Sequence, residues 1–134
     1  MAMQDFTGGC LCGAVRYQAS ELTGAGYCHC RMCQRASGAP VVAWCGAPFG
    51  AFAWTKGKPK EYRSSQAVYR VFCAKCGAQL GIRSAEAPTE MELNLATLDH
   101  PEAVAPRYHI YTASQLPWLH IDDHLPRYEG ERPQ

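Results

Sequence analysis

Seven of the eight cysteines in this 134-residue chain fall into three short clusters. The clusters contain two, three and two cysteines: Cys10-Leu11-Cys12, Cys28-His29-Cys30-Arg31-Met32-Cys33 and Cys73-Ala74-Lys75-Cys76. A structural zinc site is closed by four protein ligands, whereas a catalytic site keeps one of its four positions for water or substrate. The two pairs therefore predict one closed site, and the triplet predicts a second site that lacks one protein ligand.

A disulfide framework is the alternative interpretation of so many cysteines, because small secreted domains use one. Cysteines one or two residues apart are poor disulfide partners for each other and good chelates for a single metal. The segment from Met1 to Thr7 also shows no basic start followed by an apolar run. We therefore expect a cytoplasmic chain with reduced, metal-binding thiols.

The overall composition favours one domain over residues 1–134 and disfavours highly charged partners. Thirteen basic and 12 acidic residues give a net charge of +1 with no block of like charge, so neither nucleic acid nor an anionic membrane is an expected partner. The stretch 36–55 is uncharged, but its prolines and glycines would break a membrane-spanning helix. We expect it to form buried strands instead.

The sequence predicts a mainly β fold. Strands are expected at Val41–Trp44, Ala51–Trp54, Val68–Phe72, Met91–Leu95 and Tyr108–Tyr111, with turns at Gly8-Gly9, Lys56–Pro59, Ala87-Pro88 and His100-Pro101. One short helix is expected at the triplet, from His29 to Ala36, because Ser37-Gly38 would stop it.

Three Cys-Gly pairs occur where a tight turn is plausible: Cys12-Gly13, Cys45-Gly46 and Cys76-Gly77. In the first and last, glycine would allow the positive φ of a zinc knuckle and direct backbone amides at the thiolates. A closed site of four thiolates carries excess negative charge, which amide donors and Lys75 would offset. This site joins distant segments of the chain, so we interpret it as structural.

The triplet is compact and leaves one side of the metal free. A fourth ligand from elsewhere is the alternative, with Cys45, His29 and the histidines His100, His109, His120 and His124 as candidates. Cys45 could also be a core thiol in an apolar strand or a redox partner. The ligand count alone favours the open site over the closed one.

A three-thiolate zinc site is soft and favours sulfur in its free position, which predicts a thiol substrate. Arg31 and Arg35 lie one helical turn apart and could pair with substrate carboxylates, although a solvated helix face is the alternative. His29, together with Asp122 or its neighbour Asp123, is the candidate proton carrier.

Several motifs resemble those of the glutathione-dependent formaldehyde-activating enzyme (GFA) and centromere protein V family. They are Gly9-Cys10-Leu11-Cys12-Gly13-Ala14-Val15-Arg16-Tyr17, Cys28-His29-Cys30-Arg31-Met32-Cys33-Gln34-Arg35, Gly38-Ala39, Phe72-Cys73-Ala74-Lys75-Cys76-Gly77, His109-Ile110-Tyr111, Ser114, Pro117-Trp118, Asp122 and Leu125-Pro126. The resemblance implies an Mss4-like zinc-binding β fold with two zinc ions per chain. It assigns Cys10, Cys12, Cys73 and Cys76 to a structural ion and Cys28, Cys30 and Cys33 to a catalytic ion.

The same resemblance implies a carbon-sulfur lyase that interconverts glutathione, formaldehyde and S-hydroxymethylglutathione, with Trp118 among the substrate-binding residues. A non-catalytic zinc module that binds a protein or a small thiol is the rival hypothesis. A methionine sulfoxide reductase with Cys45 as nucleophile is a third, but an apolar stretch tends to keep a thiol inert. A side chain that closed the triplet site would remove the basis of the enzyme hypothesis.

Overall fold

The computed structural model describes residues 5–86 and 88–133, and the fold within these ranges is mainly β. Ten strands are present in these described ranges: β1 (Phe6–Gly9), β2 (Arg16–Ala19), β3 (Thr23–Cys28), β4 (Val42–Pro48), β5 (Phe52–Lys56), β6 (Lys60–Arg63), β7 (Val68–Phe72), β8 (Gln79–Ser84), β9 (Glu90–Asn94) and β10 (His109–Ile110). The α-helix, α1, spans Arg31–Ser37, and 3-10 turns lie at Phe49–Ala51, Leu95–Thr97, Pro101–Ala103 and Thr112–Ser114. The mainly β fold class is confirmed.

The strands of the described residues form two sheets. A small sheet has the order β1-β2-β5, and a large sheet has the order β10-β3-β4-β9-β8-β7-β6. Neighbouring strands are antiparallel except β10 and β3, which are parallel. This parallel pair matters for the site because it brings the C-terminal part of the chain beside the strand that leads into the triplet.

The main core lies between the two sheets. Tyr17 of the small sheet and Val71, Leu80 and Leu93 of the large sheet are almost completely buried there, as are Cys10 and Cys73. A second, smaller core contains Cys28, Cys33, Val42 and Trp44. Each cysteine cluster is therefore anchored in its own apolar core, which fixes the positions of its buried ligands.

A side-chain cap and a glycine determine where helix α1 begins and ends. The Cys30 Sγ caps the helix by accepting from the backbone N–H of Cys33 at 3.3 Å. Gly38 ends it with φ 75°, a left-handed conformation that glycine adopts without a steric penalty. The helix expected from His29 to Ala36 is present, with its start shifted because Cys30 acts as the cap.

The predicted strands are found with shifts of a few residues at most, and Val68–Phe72 has the bounds expected. Alternation along β9 buries Met91 and Leu93 and leaves their neighbours partly exposed, as a period of two requires. The sequence patterns did not indicate β1, β2, β3, β6 or β8.

Two glycine-based turn predictions are wrong, because these glycines allow close approach of other groups instead. Gly8 and Gly9 lie in β1, where a Cβ on Gly8 would come within 2.4 Å of the Tyr17 hydroxyl. Gly46 lies within β4, where a Cβ would come within 2.5 Å of the Thr23 Oγ1. The turn expected at Ala87-Pro88 falls partly outside the described residues, since Ala87 is not among them.

The uncharged stretch 36–55 forms the end of α1, β4, a 3-10 turn and most of β5. Among the residues that the structure describes, no helix has both the length and the apolar character needed to cross a bilayer.

Candidate metal centres and the adjoining cavity

Four cysteines from distant parts of the chain meet beside the main core. Cys10 and Cys12 follow β1, Cys73 and Cys76 follow β7, and their four sulfurs all lie within 4.8 Å of one another. The Sγ atoms of Cys10 and Cys12 are 3.7 Å apart, and those of Cys12 and Cys73 are 3.8 Å apart. A tetrahedral zinc site with bonds of about 2.3 Å has sulfur-sulfur separations of about 3.8 Å. The four sulfurs therefore fit this ion.

Backbone amides point at these sulfurs. The N–H groups of Val15 and Lys75 donate to the Sγ atoms of Cys10 and Cys73, each at 3.3 Å. Gly13 and Gly77 both have φ 79°, which confirms the knuckle turns predicted at these two positions. Burial opposes ionisation of Cys10, but the Val15 amide and the neighbouring thiols lower its pKa to about 6.

The three cysteines of the triplet also converge. Cys28 ends β3, Cys30 caps α1 and Cys33 lies in its first turn, with all three sulfurs within 4.8 Å of one another. In the described part of the chain, no fourth Cys, His, Asp or Glu completes this group. Hydrogen bonds from Cys28 and Cys33 lower the pKa of Cys30 to about 2, whereas the neighbouring thiols raise the pKa of Cys28. Ionisation of one thiol disfavours ionisation of its neighbours, and a divalent cation would stabilise all three thiolates together. The three sulfurs therefore suit a metal ion.

Cys45 belongs to neither cluster. It lies on β4 in the main core with 1% of its surface exposed. Burial raises the pKa of its thiol to about 12, with the nearby Glu92 and Glu90 adding to the effect. Of the roles considered for Cys45, the structure supports a core thiol, because such a group is neither a ligand here nor an activated nucleophile.

His29 is completely buried and takes part in a hydrogen-bonded chain with two residues of the C-terminal region. Its Nε2 lies 2.8 Å from the Nδ1 of His109, and the Nε2 of His109 lies 2.8 Å from the Oδ2 of Asp123. His109 is also completely buried and stacks on Tyr27 with ring centroids 4.7 Å apart. The side-chain amide of Gln34 stabilises the backbone at His29 by donating to the His29 carbonyl at 2.8 Å.

The Asp123 carboxylate, at the end of this chain of hydrogen bonds, determines which ring nitrogens of His109 and His29 carry the protons. Burial alone would raise the pKa of Asp123, but hydrogen bonds from His109 and from the Leu125 amide lower it, so Asp123 is an acceptor at neutral pH. With a proton on its Nε2, His109 donates to Asp123, and its Nδ1 accepts from the Nε2–H of His29. Burial, together with His109 and Arg127, lowers the pKa of His29 to about 4. Its Nδ1, which has no partner among the described residues, is left with a free lone pair.

Other residues expected at the site lie on the surface. Asp122 is 91% exposed, with its Oδ1 3.7 Å from the Nε2 of His124, and Trp118 is 67% exposed. Arg31 donates to the side chain of Gln34 on its own helix at 2.6 Å. Arg35, one turn later, lines a cavity instead.

That cavity has a volume of about 530 Å³ and lies between α1 and the β6-β7-β8 face of the large sheet. It is lined by Met32, Arg35, Ala36, Tyr62, Ser64, Arg70, Phe72, Gly77 and Gln79. Arg70 connects it to the triplet, because its Nη1 and Nη2 atoms lie 3.9 and 3.8 Å from the Cys33 Sγ. We call this space the α1 cavity.

Arg70 was missed by the sequence patterns, although a charged residue in the middle of the apolar run Val68–Phe72 was a signal. The pairing of His109 with Asp123 was also missed, and no local pattern could have revealed it. His109 and His29 are 80 positions apart, and only the parallel pairing of β10 with β3 brings them together.

Comparison with known proteins agrees with this architecture. The model of the glutathione-dependent formaldehyde-activating enzyme family matches residues 5–114, which include both cysteine clusters. The fold and the site therefore define a β protein with two cysteine clusters that can hold metal ions. The chain belongs to the glutathione-dependent formaldehyde-activating enzyme family, as its motifs indicated.

The chain is also similar to two individual proteins. A Schizosaccharomyces pombe protein described as an uncharacterized lyase is 34% identical over 87 residues, a match covering 58% of this chain and 57% of the yeast protein. This chain thus spans less than two thirds of that relative. The crystal structure of a Rhodobacter sphaeroides protein superposes with a TM-score of 0.57 at 29% identity, covering 75% of this chain and 92% of that one.

Proposed function

We propose that this protein is a zinc-dependent carbon-sulfur lyase-like enzyme that acts on adducts of thiols and aldehydes, with glutathione and formaldehyde as the reference pair. One observation supports this most: the triplet brings together three sulfurs and, among the described residues, no fourth ligand. Family membership and the lyase-named relative support the same class of reaction.

In the forward direction, the sulfur of the thiol attacks the carbonyl carbon of the aldehyde, and one carbon-sulfur bond forms. The π electron pair of the carbonyl moves to oxygen, which takes up the proton that the thiol gives up. The reverse reaction breaks the same bond and returns both reactants. No electrons are gained or lost overall, so the reaction needs no redox partner.

When bound by the three thiolates, a zinc ion would supply a soft Lewis-acidic position that favours sulfur and promotes loss of the thiol proton. Cys28, Cys30 and Cys33 would hold it, and the four-cysteine cluster would hold the second, structural ion. The α1 cavity, which Arg35 lines, is the natural place for the rest of the thiol molecule.

Among the protein's own residues, His29 is our candidate for handling the proton, because it lies between Cys28 and Cys30 in the sequence and its Nδ1 has no hydrogen-bond partner among the described residues. His109 and Asp123 orient its ring. The sequence offered Asp122 or Asp123 as a proton carrier, and we assign to Asp123 the role of orienting the two rings. None of the eight cysteines forms a disulfide, which supports a reducing compartment such as the cytoplasm.

Exchange spectroscopy on glutathione and formaldehyde tests the proposal. Zinc-loaded protein should accelerate exchange between the free thiol and its adduct, and Cys30→Ser should abolish the acceleration. Cys45→Ala is the matched control, since it removes a thiol outside both clusters and should keep the activity. An exchange rate unchanged by wild-type protein would instead favour a non-catalytic zinc module.

A further inference from the structure

Strand β6 leaves one edge of the large sheet open. Its four residues are all exposed, and β6 is the last strand of that sheet among the described residues. Tyr62, in the middle of the strand, is 65% exposed, and aromatic side chains are enriched at protein interfaces. An open strand edge is a row of unpaired backbone N–H and C=O groups, so it can add a strand from another chain.

The pairing of β6 with β7 determines which backbone groups face the open edge. Directly after β6, the Ser64 N–H donates to the Val68 carbonyl at 3.1 Å, in the antiparallel register of the two strands. Hydrogen-bonded pairs recur at every second residue of an antiparallel ladder, so Tyr62 also directs its backbone groups at β7. The backbone groups of Glu61 and Arg63 therefore point the other way, toward the open edge.

This direction restricts how a second copy of β6 can pair with the first. A two-fold symmetric pair of such edges is antiparallel, and each copy offers the backbone groups of its Glu61 and Arg63. Placing Glu61 opposite Glu61, or Arg63 opposite Arg63, brings like charges together and is destabilising. Placing Glu61 opposite Arg63 brings opposite charges together twice and puts Tyr62 of one copy opposite Tyr62 of the other. Of these three registers, only the last is complementary.

We propose that β6 is a homodimer interface, through which two copies of the chain pair antiparallel and join their large sheets. Glu61 of each copy lies opposite Arg63 of the other in the hydrogen-bonded pairs. The two Tyr62 residues form the central pair, with Cα atoms about 4.5 Å apart. Tyr62 also lines the α1 cavity, so the second copy places its own Tyr62 beside that cavity. This pairing is independent of the proposed catalytic activity.

Both charged side chains of β6 are held close to the sheet. The Nη2 of Arg83 donates to the Oε1 of Glu61 at 2.9 Å. The Nη2 of Arg63 donates to the Gln66 carbonyl at 2.7 Å, and its guanidinium lies 5.4 Å from the centre of the Tyr69 ring. Less side-chain entropy is therefore lost when these charges meet across the edge. Because β6 is short, we expect a small interface with a dissociation constant on the order of tens of micromolar.

Analytical ultracentrifugation of the zinc-loaded protein over a range of concentrations measures this dimer. Glu61→Arg and Arg63→Glu each place like charges across the edge, so each variant alone should dimerise about tenfold more weakly or worse. Mixed in equal amounts, the two variants restore opposite charges in both pairs and should form a heterodimer. Arg107→Glu makes the same change in net charge as Arg63→Glu at an exposed position outside β6, and it should leave the dimer unchanged.

Amide hydrogen exchange of the wild-type protein tests the register without any substitution. The amides of Glu61 and Arg63 should gain protection as the protein concentration rises. The Tyr62 amide, which is already bonded to β7, should be protected at every concentration.

Three results would overturn the interface. A wild-type protein that is monomeric at all concentrations would leave β6 as an edge that its charges keep unpaired. A dimer that survives either charge reversal, or that protects other amides instead, would place the contact elsewhere on the molecule. Loss of the dimer in both folded variants without recovery in their mixture would contradict the pairing of Glu61 with Arg63.

Discussion

At the scale of single residues, the site depends on which of two adjacent aspartates supports the buried histidines. Asp123 accepts a hydrogen bond from the Nε2 of His109 at 2.8 Å, whereas Asp122 is 91% exposed. A hydrogen bond to a charged group contributes about 1.5–3 kcal/mol, while an exposed ion pair contributes little. The two residues therefore form a matched pair for mutation.

Asp123→Asn should slow thiol-aldehyde exchange at least several-fold, because an amide can present its N–H to His109 and so change the tautomers of both histidines. Asp122→Asn should leave the exchange rate within a factor of two of wild type. Nitrogen-15 NMR of the imidazoles would show whether His29 and His109 change tautomer in the first variant. Equal effects of the two substitutions would remove the role assigned to Asp123.

Residue spacing was sufficient to predict the cysteine clusters, because two or three cysteines within six positions must share a neighbourhood. It was not sufficient for Arg70, His109 or Asp123, whose contacts depend on strand pairing across long stretches of chain. Asp122 and Asp123 show the limit, since the sequence could not decide between two adjacent loop residues that differ only in the direction of their side chains.

At the scale of secondary structure, predictions succeeded where a single physical effect dominates. β7 and β9 follow from β-branched content and strict alternation, and the end of α1 follows from Ser37-Gly38. β6 has the sequence Lys-Glu-Tyr-Arg and is exposed along its whole length, so no apolar pattern marks it. It is a strand only because β7 offers it a hydrogen-bonding edge.

β9 also contains a group that links stability to pH. Burial raises the pKa of Glu92 to about 6, and the neighbouring Glu90 and Glu131 contribute to the shift. Between the unfolded pKa of about 4.3 and this value, the folded state holds more protons, so the stabilising contribution is lost as pH rises through 6.

Glu92→Gln should therefore stabilise the zinc-loaded protein at pH 8 by on the order of 1–2 kcal/mol and have a much smaller effect near pH 5. Denaturant unfolding at several pH values measures the difference. Glu21→Gln, at an exposed position, should show no such trend. A gain in stability that is independent of pH would show that Glu92 has the same pKa in the folded and the unfolded protein.

At the scale of the whole molecule, the two cysteine clusters have different relations to the fold. The four-cysteine cluster ties the segment after β1 to the segment after β7, and it adjoins the main core. The triplet spans six positions of sequence and adjoins the smaller core. A crosslink between distant segments restricts the unfolded chain far more than a local one does.

Cys73→Ser should accordingly lower the thermal stability of the whole protein strongly, whereas Cys30→Ser should mainly reduce metal occupancy of the triplet. Thermal unfolding together with elemental analysis distinguishes the two effects. Wild-type protein should contain two zinc ions per chain, of which mild chelation removes one without unfolding. A comparable loss of thermal stability in both variants would mean that the triplet is structural as well.

We expect the triplet to hold a metal ion with one position open to an external thiol. Cobalt placed selectively in the triplet, with zinc in the four-cysteine cluster, reports the number of sulfur ligands through its absorption spectrum. An open triplet should give a three-sulfur spectrum that gains a fourth sulfur ligand when glutathione is added. Cys30→Ser should lose this spectrum. A spectrum that already shows four protein ligands and does not respond to glutathione would contradict it.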